Sequence, residues 1–254
     1  MCLLALLVMG VSSQVLADEL TADDIAARMI RGDAFAWEGA RARVRMALTD
    51  KDGKKQERSM EILGRRDEGL FQTLVRFLAP ADVAGTAFLM LERNGKASEQ
   101  YVYLSGLKRT RRIVGREQEG SFMGSDFSYS DMQPLAKRYA KHTRLPDEKV
   151  GESETYVIQT EVAKDAPSNY SKVVTWVRKQ DLVALRTRFY DKQGKLQKTL
   201  YARKIRDIEG KPVVVEARMQ NQQTQHATEL FVDDVTRDAG ISANMFTPHA
   251  LEHF

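Results

Sequence analysis

Apolar and polar residues alternate along several stretches of the chain, with the period of two that is typical of β-strands. In the first stretch, Ala42, Val44 and Met46 alternate with arginines. A strand with this pattern has one apolar face and one solvated face. About ten or eleven such strands can be counted, with no helix regularly between them. The pattern predicts a mainly β protein and excludes a doubly wound α/β sheet.

Glycine-containing turns separate neighbouring strands and indicate antiparallel hairpins. Residues 50–54 (DKDGK) and residues 191–195 (DKQGK) have similar turn sequences, with glycine at the position that tolerates a positive φ. A sheet that is apolar on one side must cover that side. It can close into a barrel, pair with a second sheet as a sandwich, or curl around a small helical lid as a half-barrel.

Two short segments have a helical pattern. Thr21 and Asp24 resemble an N-cap pair in front of the apolar Ile25 and Met29, which predicts a helix that ends near residue 32. A second helix is predicted near residues 131–139, where a proline falls in the first turn. The helices are therefore expected to be few and short.

The first seventeen residues differ from the rest of the chain. A short apolar run, Leu3 to Met9, is followed by small residues and by Val15-Leu16-Ala17. This order predicts a signal peptide at 1–17, with cleavage after Ala17 and a single mature domain at 18–254. The run is too short to span a bilayer, and a buried N-terminal helix is the alternative. Because no Lys or Arg precedes the run, the true start is expected upstream.

The single cysteine, Cys2, lies inside the predicted signal. A mature chain without thiols has no disulfide, no thiolate catalysis and no cysteine metal site. A lipoprotein signal would carry its cysteine at the end of the apolar run, so the position of Cys2 favours a soluble periplasmic product.

Composition excludes two classes of protein. Of the 254 residues, 43% are hydrophobic and 29% are charged, which is a globular balance rather than a disordered one. The formal net charge of +4 is small because acidic residues are also abundant, so nucleic acid is not an expected partner.

No catalytic or metal-binding constellation is visible in the sequence. Nucleophile elbows, phosphate-binding glycine loops and dinucleotide motifs do not occur. Asp50 and Asp52 match only part of a calcium loop, and a hairpin turn explains them. The sequence therefore predicts no enzyme, no metal and no cofactor. The four histidines lack any metal-binding spacing, and they are His142, His226, His249 and His253.

Two basic clusters need an explanation. The first is Arg41, Arg43 and Arg45, and the second is residues 108–112, which include Arg109, Arg111 and Arg112. The simpler interpretation is a solvated strand face or edge, where charge discourages edge-to-edge aggregation. The functional interpretation is contact with anionic headgroups or with an acidic partner surface.

Residues 121–132 are predicted to form a loop that is unusually apolar. The segment combines two Phe, one Tyr and two Met with small flexible residues, and its spacing is neither helical nor alternating. The segment either plugs the open end of the sheet as ordinary core or gates an apolar cavity, because Met and aromatic side chains adapt to irregular acyl chains.

Four groups of residues resemble those of a known family. They are Phe77 to Pro80 with Asp82 and Gly85-Thr86; Tyr103-Leu104 with Lys108 to Ile113; Phe122 to Tyr129; and Phe246-Thr247-Pro248 with Leu251. Together they resemble the outer-membrane lipoprotein-sorting family related to LolA, over about Ala40 to Phe254. Ser105-Gly106 departs from the family pattern, where a proline-containing turn is expected.

The resemblance implies an incomplete antiparallel β-barrel with a short helical lid and an apolar cavity between them. It also implies a periplasmic carrier of lipidated cargo. Members of this branch resemble companions of RND-type exporters of the inner membrane, so cargo other than lipoprotein is included. The matching motifs transfer no individual cargo-binding residue.

Two functions are expected from these observations. The first is a carrier or chaperone that binds lipid or lipoprotein acyl chains for transfer across the envelope, with transient membrane contact. The alternative is a non-catalytic accessory protein with a packed interior, which docks onto an exporter through Arg109, Arg111 and Arg112. The candidate cavity residues, chosen by strand face or loop position, are Val44, Met46, Phe88, Met90, Tyr101, Phe122, Met123, Phe127 and Trp176.

Overall fold

The computed structural model describes residues 20–31, 39–94, 96–133, 139–163, 166 and 168–253. The predicted signal peptide, with Cys2 and its cleavage site, lies outside these residues. Within them, the chain forms one antiparallel sheet of thirteen strands and one α-helix, α1 (Ala22–Arg31). The strands are β1 (Gly39–Thr49), β2 (Lys55–Asp67), β3 (Leu70–Ala79), β4 (Ala87–Arg93), β5 (Lys96–Leu104), β6 (Arg109–Ile113), β7 (Tyr139–Val150), β8 (Ser153–Val162), β9 (Tyr170–Arg178), β10 (Ala184–Asp191), β11 (Leu196–Ile208), β12 (Lys211–Asn221) and β13 (Ala227–Arg237).

The sheet consists of two meanders, β1 to β6 and β7 to β13. They are joined where the first strand of the chain pairs with the last. The strand order is β6-β5-β4-β3-β2-β1-β13-β12-β11-β10-β9-β8-β7, so β1 pairs with β13 and the edges are β6 and β7. The sheet curls without closing, which confirms the predicted incomplete antiparallel barrel. The strand count exceeds the expected ten or eleven. Some neighbouring strands are joined by two-residue turns such as Glu68-Gly69, in which both residues have a positive φ. Such a short turn hardly interrupts the hydrophobic pattern, so two strands are easily counted as one.

The alternating pattern of β1 is explained by its two environments. Ala42, Val44 and Met46 are buried on one side, whereas Arg43 and Arg45 are exposed on the other. The Arg45 guanidinium donates to both carboxylate oxygens of Asp233 on β13, and this hydrogen bonding lowers the pKa of Asp233. The first basic cluster therefore belongs to a solvated strand face.

Cross-strand register defines the inner face of the incomplete barrel. Ala42, Ile62, Val75, Phe88 and Val102 lie directly opposite one another in turn across β1 to β5, so they form one row on one side of the sheet. Residues from both meanders meet in a single buried cluster on this side. We call this side the inner face.

The outer face of β2 to β5 is also apolar, and the end of the chain covers it. Leu63, Leu74 and Leu89 pack there against Phe246 and Leu251. Strand β4 is consequently buried on both sides, since six of its seven residues are buried. This packing gives the C-terminal segment a structural role.

Helix α1 covers the inner face at the other end of the sheet. The Asp24 N–H donates to Thr21 Oγ1 at 3.1 Å and Thr21 Oγ1 donates to Asp24 at 2.6 Å, which confirms the predicted N-cap. Ile25 is fully buried against Ile158 and Val177. Both partners lie on the inner face, because Ile158 is opposite Thr175 in the register and Val177 is two residues beyond Thr175. The helix thus forms a short lid.

Candidate functional site

The inner face is lined by apolar side chains from both halves of the sheet. Those from β1 to β4 include Val44, Met46, Phe88 and Met90, and those from β9, β10 and β12 include Val173, Phe189 and Met219. The sheet does not close on itself, so this face has to be covered by another part of the chain. A segment between the two edge strands covers it.

Residues 120–133, here called the flap, form a compact loop between β6 and β7. The Phe122 N–H donates to the Phe127 carbonyl at 2.7 Å, and Ser121 pairs with Ser128 in an isolated bridge. Between them, Met123 and Gly124 have φ values of 52° and 76°, and the Ser125 N–H donates to the Phe122 carbonyl at 3.0 Å. Positive φ at both central positions is the signature of a type I′ turn. Glycine suits the second position, whereas Met123 adopts a conformation that disfavours a side chain.

Aromatic side chains of the flap insert into the inner face. The Phe122 ring lies 5.3 Å from that of Phe88 and 5.9 Å from that of Phe77, and Tyr129 packs against both Phe122 and Phe88. Phe122 is only 4% exposed. Burial raises the pKa of the Tyr129 hydroxyl. These edge-on and tilted arrangements are the ones that aromatic pairs favour.

An ion pair buried between the flap and β11 holds one end of the flap. Lys198 Nζ donates to the Asp131 carboxylate at 2.7 Å and to the Asp126 carbonyl at 2.6 Å. The side chains of Lys198 and Asp131 are only 5% and 6% exposed. The Tyr170 hydroxyl also donates to Asp131, at 3.0 Å. A charge buried this deeply is tolerated because it is paired and hydrogen-bonded.

A second polar contact joins the flap to β13 and the turn before it. The Asp126 N–H donates to Thr228 Oγ1 at 2.9 Å, and the Asp126 carboxylate accepts from Thr228 Oγ1 and contacts His226 Nδ1, both at 2.7 Å. Residues 126 and 228 are far apart in sequence. We call Asp126, Asp131, Lys198, His226 and Thr228 together the latch, since each of them joins the flap to the second meander.

Strand β5 holds the flap from the opposite side. Gln100 is fully buried, and its Nε2 donates to the Tyr129 carbonyl at 2.7 Å. Gln118 Nε2 in turn donates to Gln100 Oε1 at 3.3 Å. The flap therefore has specific polar contacts with both halves of the sheet.

The open apolar cavity expected from the sequence is filled in this structure. Phe122, Phe127 and Tyr129 of the flap occupy the space above the described inner-face residues. Two surface depressions lie elsewhere. One, of about 440 Å³, is near Gly39 and Arg65, and the other, of about 310 Å³, lies between Arg112 and His249. Neither is lined by residues of the inner-face cluster.

The structure brings seven of the nine candidate cavity residues together. Six of them, Val44, Met46, Phe88, Met90, Phe122 and Phe127, are buried in the inner-face cluster, and Met123 packs against it. Whether they contact cargo stays a prediction.

Two candidate cavity residues lie on the outer face instead. Tyr101 packs against the cluster beneath the C-terminal segment, and Trp176 packs with Val157 and Val174. Strand β9 is apolar on both sides, and β5 carries polar Ser98 and Gln100 on its inward side, so alternation alone could not assign the correct face to either residue. Both residues are therefore removed from the proposed site.

The second basic cluster does not form a single surface. Arg111 lies opposite Val102 and Arg112 opposite Tyr101, so these two arginines extend to opposite sides of the edge strand β6. Arg111 pairs with Glu117 and Arg112 pairs with Glu99, while Arg109 is exposed at the start of the strand. Partner contact through these residues remains a hypothesis.

Sequence reasoning missed the latch. Lys198 shares the parity of Leu200, which packs against the inner-face cluster, so a cation on the inward-facing side was a signal that could have identified it. Asp126 and Asp131 gave no such signal within an irregular segment.

The helix predicted near residues 131–139 is wrong at its start. Residues 129–132 form a 3₁₀ turn with Ser128 at its N-cap position, and residues 134–138 lie outside the described part of the chain.

Two further properties of the described residues concern membranes and metals. Among the residues that the structure describes, no helix combines the length and apolar character needed to cross a bilayer. In the same residues, no group of three or more His, Cys, Asp or Glu side chains is placed to hold a metal ion.

Comparison with known proteins places the chain in a class and then in a family. A family model described as that of an uncharacterized protein matches residues 69–253. No curated protein matches the chain. A crystal structure of LolA superfamily protein NE2245 from Nitrosomonas europaea is 18% identical, with a TM-score of 0.71 over 90% of this chain and 98% of that one. The open antiparallel barrel of this chain, with its covered inner face, thus has a LolA-type fold.

Two crystal structures are more similar in sequence. A domain from Vibrio parahaemolyticus, provisionally assigned to outer-membrane lipoprotein sorting, is 32% identical with a TM-score of 0.85, and the match covers 91% of this chain and 98% of that one. A DUF1329 family protein from Desulfovibrio piger is 29% identical with a TM-score of 0.84, covering 91% and 97%. The chain therefore belongs to the outer-membrane lipoprotein-sorting family of LolA-like proteins.

Proposed function

We propose that this protein is a non-catalytic periplasmic carrier that shelters the acyl chains of a lipid or lipoprotein on its inner face. The observation that carries the proposal is that a loop, rather than closure of the sheet, covers an apolar inner face. The assignment of the Vibrio relative to lipoprotein sorting supports it. In this account the flap occupies the cargo space until an acyl chain displaces it.

The energies of the two occupants support such an exchange. Burial stabilises one large apolar side chain by about 1.5–3 kcal/mol, so three flap rings contribute roughly 5–9 kcal/mol. An acyl chain that buries about 14 methylenes contributes roughly 11 kcal/mol, at about 0.8 kcal/mol each. Burial of one acyl chain can therefore offset the lost packing of the flap rings, whereas the buried contacts of the latch oppose the exchange.

Export is part of the same proposal. Residues 1–17 act as a signal peptide that is cleaved after Ala17, and residues 18–254 form the mature domain. The mature chain then contains no cysteine, because Cys2 is the only one in the sequence. This property allows disulfide engineering without background thiols.

Locking the flap tests the proposal. Asp126 and Thr228 are in direct contact, so the variant carrying Asp126→Cys and Thr228→Cys can join the flap to β13 by a disulfide. We expect the reduced variant to bind a dipalmitoylated lipopeptide in native mass spectrometry and the oxidised variant to bind none. The reduced form is the matched control, because it differs only in the crosslink. Equal lipopeptide binding by both forms would contradict the proposal.

A second function, docking onto an RND-type inner-membrane exporter as an accessory protein, is favoured by the filled inner face. Strand β6 is an edge with exposed Arg109, Arg111 and Arg112, and Leu107 beside it is 71% exposed. Exposed apolar and cationic groups at a strand edge suit an acidic partner. Charge reversal of the three arginines should abolish capture of the exporter, and unchanged capture would remove this candidate.

A further inference from the structure

Arg58 lies on the inner face, close to the flap. It is directly opposite Met46 in the β1–β2 register and two residues before Met60, and both methionines belong to the inner-face cluster. Its Nη2 is 3.7 Å from the position that a β-carbon on Gly124 would occupy. The guanidinium therefore lies against the type I′ turn of the flap.

Arg58 also lies where β2 passes from solvent into the buried interior. Residues 55–57 are exposed, Arg58 and Ser59 are half-buried, and Met60 is buried. A bound amphiphile with its chain on the inner face places its headgroup at such a boundary, since the chain is apolar and the headgroup is hydrated. The position of Arg58 suits the headgroup rather than the chain.

The Arg58 guanidinium has unused hydrogen-bonding capacity. Its Nη1 is buried and has no hydrogen-bond partner among the described residues. Burial lowers the pKa of Arg58, and the attraction of Asp82 opposes that shift. Arg41 and Arg45, by contrast, each donate to a carboxylate on a neighbouring strand. A buried donor without a hydrogen-bond partner is unfavourable, so Nη1 offers a position for an acceptor that the described residues do not supply.

We propose that Arg58 binds the anionic headgroup, carboxylate or phosphate, of an amphiphile whose acyl chain lies on the inner face. The planar guanidinium matches both groups, because it offers two parallel N–H donors to paired oxygens. This inference rests on the proposed carrier function and specifies the chemical class of its cargo: acidic amphiphiles are bound in preference to neutral ones of equal chain length.

Matched probes separate the headgroup from the chain. Palmitate and 1-palmitoyl lysophosphatidic acid carry the two candidate anions, and methyl palmitate carries the same chain without charge. We expect the wild-type protein to bind each acid about tenfold more tightly than the ester, which is the strength of one charge-assisted contact. Comparing the two acids decides between carboxylate and phosphate.

Substitution then assigns the preference to Arg58. In Arg58→Met, the affinity for both acids should fall to that for the ester, with the affinity for the ester unchanged. Arg58→Gln provides a second variant should the first fail to fold. The control is Arg43→Met, which removes an exposed arginine of the solvated face of β1 and should retain the preference.

The outcomes distinguish this inference from the function on which it rests. Retention of the full acid preference in both Arg58 variants would overturn the role of Arg58 while leaving the carrier in place, as would equal binding of acids and ester by the wild-type protein. Failure of the wild-type protein to bind any of the three probes would overturn the carrier function itself.

Discussion

At the scale of single residues, the side chain of Lys198 joins the inner face of the sheet to the flap. It lies directly opposite Phe189 on the inner face, yet its ammonium group donates to Asp131 and to the flap backbone. A buried ion pair contributes little net stability relative to apolar side chains of similar volume, but losing one partner is costly. The pair therefore specifies where the flap lies more than it stabilises the sheet.

Substitution of Lys198 tests this assignment. Lys198→Met should lower the free energy of unfolding by about 3–5 kcal/mol, because the Asp131 carboxylate stays buried without its cation. Urea denaturation measures the change. In the double variant with Asp131→Asn, no buried charge remains on either side, so the loss should be smaller than in Lys198→Met alone. A double variant at least as unstable as the single one would contradict this account.

His142 on β7 gives the stability a dependence on pH. Burial lowers the pKa of His142 from its ordinary value of 6.5, and its Nδ1 contacts Thr160 Oγ1 at 2.8 Å. The unfolded chain therefore binds a proton more readily than the folded one, and stability is lost as the pH falls through 6.5 toward the lowered pKa. Above pH 6.5 this contribution is fully present.

Comparison of unfolding free energies at pH 7.5 and pH 5 measures the effect of His142. The wild-type protein should lose more stability between the two values than His142→Gln does, because the amide does not titrate and can keep a hydrogen bond to Thr160. Equal losses in the two proteins would show that His142 contributes nothing to the acid sensitivity.

At the scale of elements, the sequence pattern predicts both the strand and its buried side where one face is apolar. Where both faces of a strand are covered, the pattern predicts the strand but not the side on which each residue lies. The alternation of Ala42, Val44 and Met46 identifies both β1 and its inward side. In β5 the inward side carries the polar Ser98 and Gln100 while the outward side carries two tyrosines beneath the C-terminal segment, and in β9 both sides are apolar. Tyr101 and Trp176 were placed on the wrong face for this reason.

The conformation of the flap could not be predicted from its local sequence pattern. Its composition indicated an apolar loop that must pack against the sheet, and Phe122 and Phe127 do so. Its fixed points, however, are contacts of Asp126 with Thr228 and Lys198, which lie 102 and 72 residues away in sequence. The pairing of β1 with β13 joins the two meanders into one sheet, and this long-range pairing brings the partners together.

At the scale of the whole molecule, the fold provides two separate covers for one apolar surface. Helix α1 covers the inner face near β8 and β9, and the flap covers it near β3 and β4. The flap joins the two unpaired edge strands, so it can move without breaking the ladder of the sheet. This division between a continuous sheet and a loop that covers its inner face is the basis of the carrier proposal.

Hydrogen exchange read by mass spectrometry, with and without a dipalmitoylated lipopeptide, tests the central claim most directly. In the free protein, the amides of Phe122 and Tyr129 donate within the flap, so they should be protected. On saturation with lipopeptide, peptides covering residues 120–133 should exchange faster, while those of β1 and β2 stay protected. Lipopeptide that binds while flap protection stays unchanged, or that fails to bind at all, would contradict the account.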